Sequence, residues 1–349
     1  MKRNIVIHKN LIGLIAVAAL MSVLIFGHTL MAAERVDTTA TVKLTAEVNE
    51  NDSSVFAKNF VGTLNVDIYK IATMNATGEL QLTDKFINSG IDLRILGNNP
   101  TVDQIKTEIV KKAQDANQAS DNTISLKRVK VENSNQIITE ANTDSVPIEG
   151  GAGLYLYVPE NTKDSRYTYE FTPYVIMAPT SEYITSKQGS DEWDYSPKFS
   201  LKSTAKERFG SIVISKKLDK YNSTYNKASF VYSVVAKLDN NVVFDNVYTI
   251  EFDKAETKTK QIDNIPAQAV VTVTEVYDGA SYEAVGEKTV TGIIIDPDKA
   301  IPTASFENTY DGKMITGGIS AVNEFVEDDG ELFWIDESGQ RVKQEVRVR

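Results

Sequence analysis

Residues 211–310 contain short segments in which apolar and polar residues alternate, and turn-forming residues separate these segments. The segments cover residues 212–218, 230–238, 242–250, 269–277, 289–295 and 304–310. Alternation with a period of two places every second side chain on the same face, as in a strand that buries one side. Asn264 and Pro266, and further on Asp278 and Gly279, are turn signals between segments. Six such strands without a convincing helix predict a β-sandwich.

Residues 40–201 also show mostly strand patterns, but one helix interrupts them. Segments rich in β-branched and aromatic residues, as strands prefer, cover residues 63–71, 154–158 and 167–177. The helix is predicted to begin at Thr101, because Thr101 and Gln104 form a capping-box pattern and apolar residues follow at helical spacing. The chain is therefore expected to be mostly β, with two tandem immunoglobulin-like β-sandwich domains, the first with one inserted helix.

The two domains are predicted to span residues 34–202 and 211–312. Segment 203–210 is polar, has no adjacent pair of apolar residues and ends in glycine, so it is predicted to be the linker. Residues 313–349 differ from both domains, because they combine an acidic cluster with a possible hairpin that turns at residues 338–339. This C-terminal tail has no core that the sequence pattern can assign.

The N-terminus has the order of a secretory signal peptide. Lys2, Arg3 and Lys9 precede an uncharged apolar run at residues 11–27, and small residues follow before the chain becomes polar. We predict a signal peptide at residues 1–33, and therefore a secreted protein at the cell surface. The competing interpretation is an uncleaved membrane anchor, since the run is almost long enough to cross a bilayer.

Charge and the missing residue types exclude several classes of function. The chain has 37 basic and 48 acidic residues, a net charge of −11, and loss of the three basic leader residues gives 34 − 48 = −14. Nucleic acids require basic patches, so none is expected as a partner. Cysteine is absent, and the only histidines, His8 and His28, lie in the predicted leader. Catalytic triads, thiolate or imidazole zinc sites, haem ligation by histidine and disulfides are therefore excluded from the mature chain.

Three polar residues occupy positions in the second domain where the alternation predicts buried apolar side chains. Lys216 follows two isoleucines on one face of its strand, Glu275 follows two valines, and Asn308 follows Phe306. Taken singly, each has an ordinary explanation: a lysine at a strand end snorkels, a glutamate near a turn is solvated and an asparagine caps a turn. Their joint placement on inner faces of the first, a middle and the last strand favours a shared site. Lys217 competes as the nucleophile, but it falls on the opposite face.

Such a trio can form a covalent lysine–asparagine cross-link. An apolar pocket disfavours the charged forms of lysine and glutamate, so both can be neutral at pH 7. A neutral amine is a nucleophile, and a protonated carboxyl can polarise the carboxamide and transfer protons as ammonia leaves. Contact between the amine and the carboxamide makes this slow exchange effectively unimolecular. Lys216 and Asn308 would then be joined by an isopeptide bond, with Glu275 as the catalytic residue.

The second domain resembles the isopeptide-forming domains of Gram-positive surface proteins, the Cna-B-like or major-pilin type. GSIVISKKLD at residues 210–219 is similar to the family's first strand, which carries the reactive lysine. VTVTEVYDGASYE at residues 271–283 is similar to its E-box, and FENTYDG at residues 306–312 to its closing strand. The resemblance implies the cross-linking roles for Lys216 and Asn308, with Glu275 as catalyst, and a structural subunit of a pilus or cell wall.

The first domain resembles the N-terminal domain of pilins that are assembled by a sortase. The similar segments are VDIYKIA at residues 66–72, GAGLYLYVPE at residues 151–160 and EWDYSPKFSLK at residues 192–202. In that family a lysine after the tryptophan segment accepts the C-terminus of the next subunit. The resemblance implies Lys202 as this acceptor, with Lys198 beside a proline as the alternative.

The resemblance implies other pilin subunits and a sortase as partners, but the motif near Lys202 departs from the family. No proline precedes Lys202, Ser203 stands in place of the usual asparagine, and no LPxTG-like motif occurs near the C-terminus. The resemblance therefore supports the domain architecture of a pilin more strongly than it supports covalent polymerisation.

Three functional classes follow from the sequence. The leading one is a secreted, non-enzymatic structural subunit of the cell surface or pilus, with an internal isopeptide bond. The alternative is a non-polymerising adhesin or binding module for a host or matrix ligand. A hydrolase with paired carboxylates is the third, but no pair stands out. No cofactor or metal is expected, because the acidic turns at residues 296–298 and 327–331 lack the ordered spacing of a calcium loop.

Overall fold

The computed structural model describes residues 35–48, 54–98, 100–180, 192–224 and 227–312, together with the backbone of residues 325–328, 331–335 and 341–343. The expected mostly β fold class is confirmed, since strands in several sheets dominate this part of the chain. The chain divides into two compact units between Phe209 and Gly210. The predicted signal peptide at residues 1–33 lies outside the described residues. Among those that are described, no helix has the length and apolar character needed to cross a membrane.

The first unit has twelve strands and several short helical segments in its described part. Its strands are β1 (Val42–Glu47), β2 (Gly62–Met74), β3 (Leu80–Leu82), β4 (Asn122–Lys130), β5 (Ile137–Thr139), β6 (Ser145–Ile148), β7 (Gly153–Pro159), β8 (Thr162–Lys163), β9 (Tyr167–Phe171), β10 (Tyr174–Ala178), β11 (Lys198–Ser200) and β12 (Ser203–Glu207). They form three sheets in the orders β10-β7-β2-β4-β5, with β3 beside β2, then β11-β1-β6 and β12-β9-β8.

The helical segments of the first unit lie between its strands. They are α1 (Val55–Asn59), a 3-10 helix (Leu93–Asn98), α2 (Val102–Ile105), a π-helical turn (Lys106–Val110) and α3 (Lys111–Asp115). The predicted start is confirmed, because the Thr101 side chain accepts from the Gln104 amide at 3.2 Å and the Gln104 side chain accepts from the Thr101 amide at 2.8 Å. Ile105, Ile109 and Ala113 are buried in one apolar cluster, as their spacing predicts. The helix α1 and the 3-10 helix were not predicted, since both are too short to show a periodic pattern.

Two predictions for the first unit are corrected by the strand boundaries. The predicted strand at residues 167–177 is two strands, β9 and β10, because Pro173 has no amide to contribute to a ladder. Segment 203–210, predicted as a linker, forms β12 over most of its length and pairs antiparallel with β9. Its polar composition suits a strand at the edge of a sheet, where Lys206 Nζ lies 2.6 Å from Glu170 Oε1.

The second unit contains the predicted strands and further short ones. Its strands are β13 (Phe209–Leu218), β14 (Ala228–Leu238), β15 (Asn241–Phe252), β16 (Thr257–Pro266), β17 (Val270–Tyr277), β18 (Tyr282–Ala284), β19 (Thr289–Ile294), β20 (Thr303–Tyr310), β21 (Phe325–Asp328), β22 (Glu331–Ile335) and β23 (Arg341–Lys343). The first eight form two four-stranded sheets, β16-β13-β20-β18 and β15-β14-β17-β19. The last three form an antiparallel sheet, and the predicted turn at residues 338–339 lies outside the described residues.

One apolar core fills the space between the two four-stranded sheets. Inward residues from both sheets belong to the same buried cluster, among them Ile214, Phe230, Val273 and Phe306. Because alternate residues of each strand reach this core, the unit is a β-sandwich, as the sequence predicts. The sequence does not predict strand β16, because the segment is mostly polar and Asn264 and Pro266 near its end are typical of a turn. The strand β18 is too short for a pattern.

The first and last strands of the sandwich are neighbours. β13 and β20 pair in parallel, with Lys216 opposite Phe306 and Leu218 opposite Asn308. Parallel neighbours need a long connection, and here the whole sandwich forms it. The strand through which the chain enters the domain, β13, therefore lies beside β20, the strand through which it leaves.

Candidate functional site

The structure brings Lys216, Glu275 and Asn308 together in the core of the second unit. Lys216 comes from β13 and Asn308 from β20, which are neighbours in one sheet, whereas Glu275 comes from β17 in the opposite sheet. The exposed fractions are 0% for Lys216, 3% for Glu275 and 0% for Asn308. Three polar side chains that the alternation predicts to point inward therefore meet in one solvent-free site.

The pairing of β13 with β20 explains how the lysine reaches the asparagine. Leu218 is the register partner of Asn308, and Lys216 lies two residues earlier on the same face of β13. The two side chains are thus diagonal neighbours on the inner face of a parallel pair, a separation that a long lysine side chain spans. Their distance along the chain is 92 residues.

Hydrogen bonds connect the three groups. The Lys216 ammonium donates to Glu275 Oε1 at 2.5 Å and also to Asn308 Oδ1. Asn308 Nδ2 donates to the backbone carbonyl of Asp278 at 3.2 Å, so both ends of the carboxamide are fixed. Tyr232 donates its hydroxyl hydrogen to Glu275 Oε1 at 3.0 Å.

The surroundings of Lys216 are aromatic and apolar. Its Nζ atom lies 4.3 Å from the centroid of the Phe230 ring and 5.9 Å from that of Tyr232. Burial lowers the pKa of Lys216 below its ordinary value, and the hydrogen bond and charge of Glu275 oppose this shift in part. The site therefore favours the neutral, nucleophilic amine more than water does.

The neighbouring Lys217 has the opposite environment. It is exposed, and its Nζ lies 2.8 Å from Glu307 Oε1 on the outer face of the same strand pair. The hydrogen bond to Glu307 raises the pKa of Lys217, which keeps its charge. Lys217 is thus a solvated cation, remote from the buried carboxamide.

The two predicted acceptor lysines of the first unit are both on the surface. Lys198 is the first residue of β11, and its Nζ lies 3.7 Å from Glu47 Oε1. Lys202 is exposed between β11 and β12, and its backbone carbonyl accepts from the Thr172 amide at 3.1 Å. Both are accessible to another protein, and the geometry does not distinguish between them as acceptors.

Lys70 of the first unit lacks the arrangement found at Lys216. It is half-buried, and burial lowers its pKa. Its ammonium donates to the backbone carbonyl of Gly150 at 3.1 Å, an acceptor that cannot lose ammonia. No side-chain carboxamide is bonded to it among the described residues.

In the described part of the chain, no group of three or more histidine, cysteine, aspartate or glutamate side chains is arranged so that it could bind a metal ion. In the acidic turn at residues 296–298, the Asp296 carboxylate binds groups of the protein itself. The carboxylate accepts from the Asp298 amide at 3.0 Å and lies 3.1 Å from Lys299 Nζ.

The sequence does not predict two groups of the site, the Tyr232 hydroxyl and the Asp278 carbonyl. Alternation places Tyr232 on the inner face of β14, but nothing in the sequence links its hydroxyl to Glu275. The Asp278 carbonyl is a backbone group, and the sequence pattern marks Asp278 only as a turn residue. Both contacts depend on tertiary pairing, so no local signal could have found them.

The chain is similar to solved structures of bacterial pilins. A minor pilin of Streptococcus agalactiae matches 80% of this chain and 99% of its own length, at 10% identity and a TM-score of 0.20. The shaft pilin SpaA of Lactobacillus rhamnosus GG matches 78% of this chain and 98% of its own length, at 10% identity and a TM-score of 0.23.

A third similar structure is the Bacillus anthracis TIE protein, at 14% identity and a TM-score of 0.28, over 62% of this chain and 37% of that protein. No family model and no curated protein matches the chain. TM-scores of this size carry no functional conclusion for this chain.

Proposed function

We propose that the second unit joins Lys216 Nζ to Asn308 Cγ by an isopeptide bond, with Glu275 as the catalytic residue, and that the chain is a secreted structural subunit of a pilus or cell surface. The observation that carries the proposal is a fully buried lysine ammonium in contact with one carboxyl and one carboxamide. The carboxyl is an ordinary ion-pair partner for a buried lysine. Here the second contact is an amide that can exchange its nitrogen.

Burial supplies the nucleophile. Burial lowers the pKa of Lys216, so more of the amine is neutral than in water. The nearby Phe230 ring excludes the water that would stabilise the ammonium form. The hydrogen bond from Nζ to Asn308 Oδ1 holds the amine beside the carboxamide, so attack on Cγ needs no diffusion.

Glu275 supplies the proton transfers. As the Nζ–Cγ bond forms, Nζ loses one proton to the carboxyl, and as the Cγ–Nδ2 bond breaks, the carboxyl returns one proton to the leaving nitrogen. Ammonia departs, and Glu275 ends in its starting protonation state. No oxidant, cofactor or second substrate is required for this exchange.

The position of the bond suits a protein under mechanical load. β13 and β20 are the first and last strands of the sandwich, so a bond between them closes a loop of almost the whole domain. The loop-entropy model assigns such a loop about 4 to 5 kcal/mol of stabilisation. Force applied at chain entry and chain exit would pass through the bond rather than unzip the sheets.

The wider biological setting belongs to the same proposal. Export by the signal peptide at residues 1–33 would place the acidic chain on the cell surface. Lys202, or alternatively Lys198, would accept the next subunit from a sortase, and the exposure of both side chains supports this role. Mutation of each lysine to alanine in a polymerisation assay with the cognate sortase distinguishes the two.

Intact-mass measurement of the purified mature chain, compared with the mass of its sequence without residues 1–33, tests the cross-link. We expect the wild-type mass to be lower than the sequence mass by one ammonia. Asn308→Ala and Glu275→Ala should each have their full sequence mass, whereas the control Lys217→Ala should still lose ammonia. A wild-type chain of full mass would overturn the proposal.

A further inference from the structure

The two oxygens of Glu275 have different environments. Oε1 accepts from Lys216 Nζ at 2.5 Å and from the Tyr232 hydroxyl at 3.0 Å. Oε2 is buried and has no hydrogen-bond partner among the described residues. Since the oxygens of a free carboxyl are equivalent, the surrounding contacts must fix this orientation.

Tyr232 is held in place for this contact by the sheet itself. It is the register partner of Glu275 in the β14–β17 ladder, beside an irregularity that shifts the register between Val231 and Tyr232. The skipped residue, Val276, is 57% exposed. An extra residue of this kind bends a strand and changes the direction of nearby side chains. Tyr232 and Glu275 are thus direct cross-strand neighbours on the inner face.

We propose that Tyr232 is a positioning residue for the cross-linking step, assigning Oε1 to receive the lysine proton and Oε2 to carry the proton of the neutral carboxyl. This inference rests on the proposed isopeptide reaction. A carboxyl oxygen has two lone pairs, and the two donors already occupy both of those on Oε1. The carboxyl proton therefore belongs on Oε2.

Tyr232 is suited to this role because its hydroxyl stays protonated. Burial raises the pKa of Tyr232 far above its ordinary value, and the nearby charge of Glu275 raises it further. The phenol therefore donates to Oε1 throughout the physiological range and never competes as a base.

The assignment gives each proton a defined route. Nζ loses one proton to Oε1 as the Nζ–Cγ bond forms, and Oε2 gives its proton to Nδ2 as the Cγ–Nδ2 bond breaks. Ammonia leaves, and the carboxyl retains one proton. On the other reactant, the Asp278 carbonyl holds Nδ2 at 3.2 Å, so the leaving nitrogen is also oriented before reaction.

A Tyr232→Phe variant removes the hydroxyl and keeps the ring, including its contact with Phe306 at 5.1 Å between centroids. The matched control is Tyr282→Phe, since Tyr282 is 7% exposed, against 0% for Tyr232. The Tyr282 hydroxyl accepts from the Asn222 amide at 3.1 Å and has no hydrogen bond to Glu275 among the described residues. Both variants lose one tyrosine hydroxyl from the same core, but only the hydroxyl of Tyr232 is bonded to the carboxyl.

The experiment starts from chain that has never folded, recovered from inclusion bodies in denaturant and shown to have its full sequence mass. The loss of ammonia is then followed over time by intact mass after transfer to native buffer. The rate is taken on the native fraction isolated by size-exclusion chromatography, so a variant that folds poorly still gives a rate. We expect Tyr232→Phe to react at least about tenfold more slowly than wild type, because positioned proton transfer contributes on the order of a hundredfold or more. Tyr282→Phe should stay within about twofold of wild type, since no proton route involves it.

The dependence of the rate on pH separates positioning from a structural effect. The hydrogen bond and charge of Glu275 raise the pKa of Lys216, and loss of the Tyr232 donor should strengthen both effects, so the rate profile of Tyr232→Phe should move to higher pH. The profile of Tyr282→Phe should not move. A wild-type rate and profile in Tyr232→Phe would overturn the role of Tyr232 while leaving the cross-link intact. Absence of ammonia loss in wild type would instead refute the reaction itself.

Discussion

Lys216 on the first strand of the sandwich donates a hydrogen bond to Asn308 on the last, and both side chains are fully buried. This contact exists because β13 and β20 run parallel and adjacent, with Leu218 as the register partner of Asn308. It adds a side-chain contact between the two strands through which the chain enters and leaves the sandwich.

Asn308→Ala should lower the free energy of unfolding of the second unit by about 4 kcal/mol or more, since the closed loop is lost. Denaturant unfolding with a probe in that unit measures the change. The control Asn246→Ala alters an exposed asparagine on β15 and should change stability by less than about 0.5 kcal/mol. Equal stability of wild type and Asn308→Ala would argue against a covalent link.

Lys216→Arg should abolish the cross-link while retaining the positive charge. A guanidinium remains protonated in proteins, so it provides no neutral amine for attack on Asn308. The variant should have its full sequence mass, and Lys217→Arg should still lose one ammonia. Loss of ammonia from Lys216→Arg would point to a different nucleophile.

Local alternation was sufficient to predict the inward placement of Lys216, Glu275 and Asn308, because the two-residue period of a strand is a property of the segment alone. It could not predict that the lysine and asparagine share a sheet and that the glutamate faces them from the other. Strand order and register are set by contacts distant in sequence.

The errors have the same origin. Segment 203–210 reads as a linker by composition, yet its pairing with β9 makes most of it a strand. Tyr232 reads as an ordinary core aromatic, because its bond to Glu275 depends on the register shift between β14 and β17. The sequence of a strand predicts which of its side chains point inward. Which strand pairs with it, and which polar groups its side chains contact, can be seen only in the folded structure.

The uncrosslinked Asn308→Ala variant should become more stable as pH rises. Burial lowers the folded-state pKa of Lys216 below its ordinary value of 10.5, so between these two pKa values the unfolded chain binds more protons than the folded one. Stability therefore increases with pH in that window and levels off above about 10.5. Urea unfolding of Asn308→Ala at several pH values measures this slope. In Lys216→Met/Asn308→Ala the slope should be smaller, and an equal slope in both variants would contradict the assignment to Lys216.

Ser281→Gly should stabilise the second unit. Ser281 has a φ of 72°, a left-handed conformation that costs most L residues about 1 kcal/mol or more, and its buried Oγ has no hydrogen-bond partner among the described residues. Glycine adopts this conformation without steric cost and removes the unsatisfied hydroxyl, although it also adds entropy to the unfolded chain. We expect a net gain of about 0.5 to 1 kcal/mol, measured in the Asn308→Ala background so that unfolding is not masked by the cross-link. Ser281→Ala is the control, because it removes the hydroxyl but keeps the strained backbone, and it should recover only the smaller part of the gain. A destabilised Ser281→Gly would show that the serine hydroxyl makes a contact that outweighs the strain.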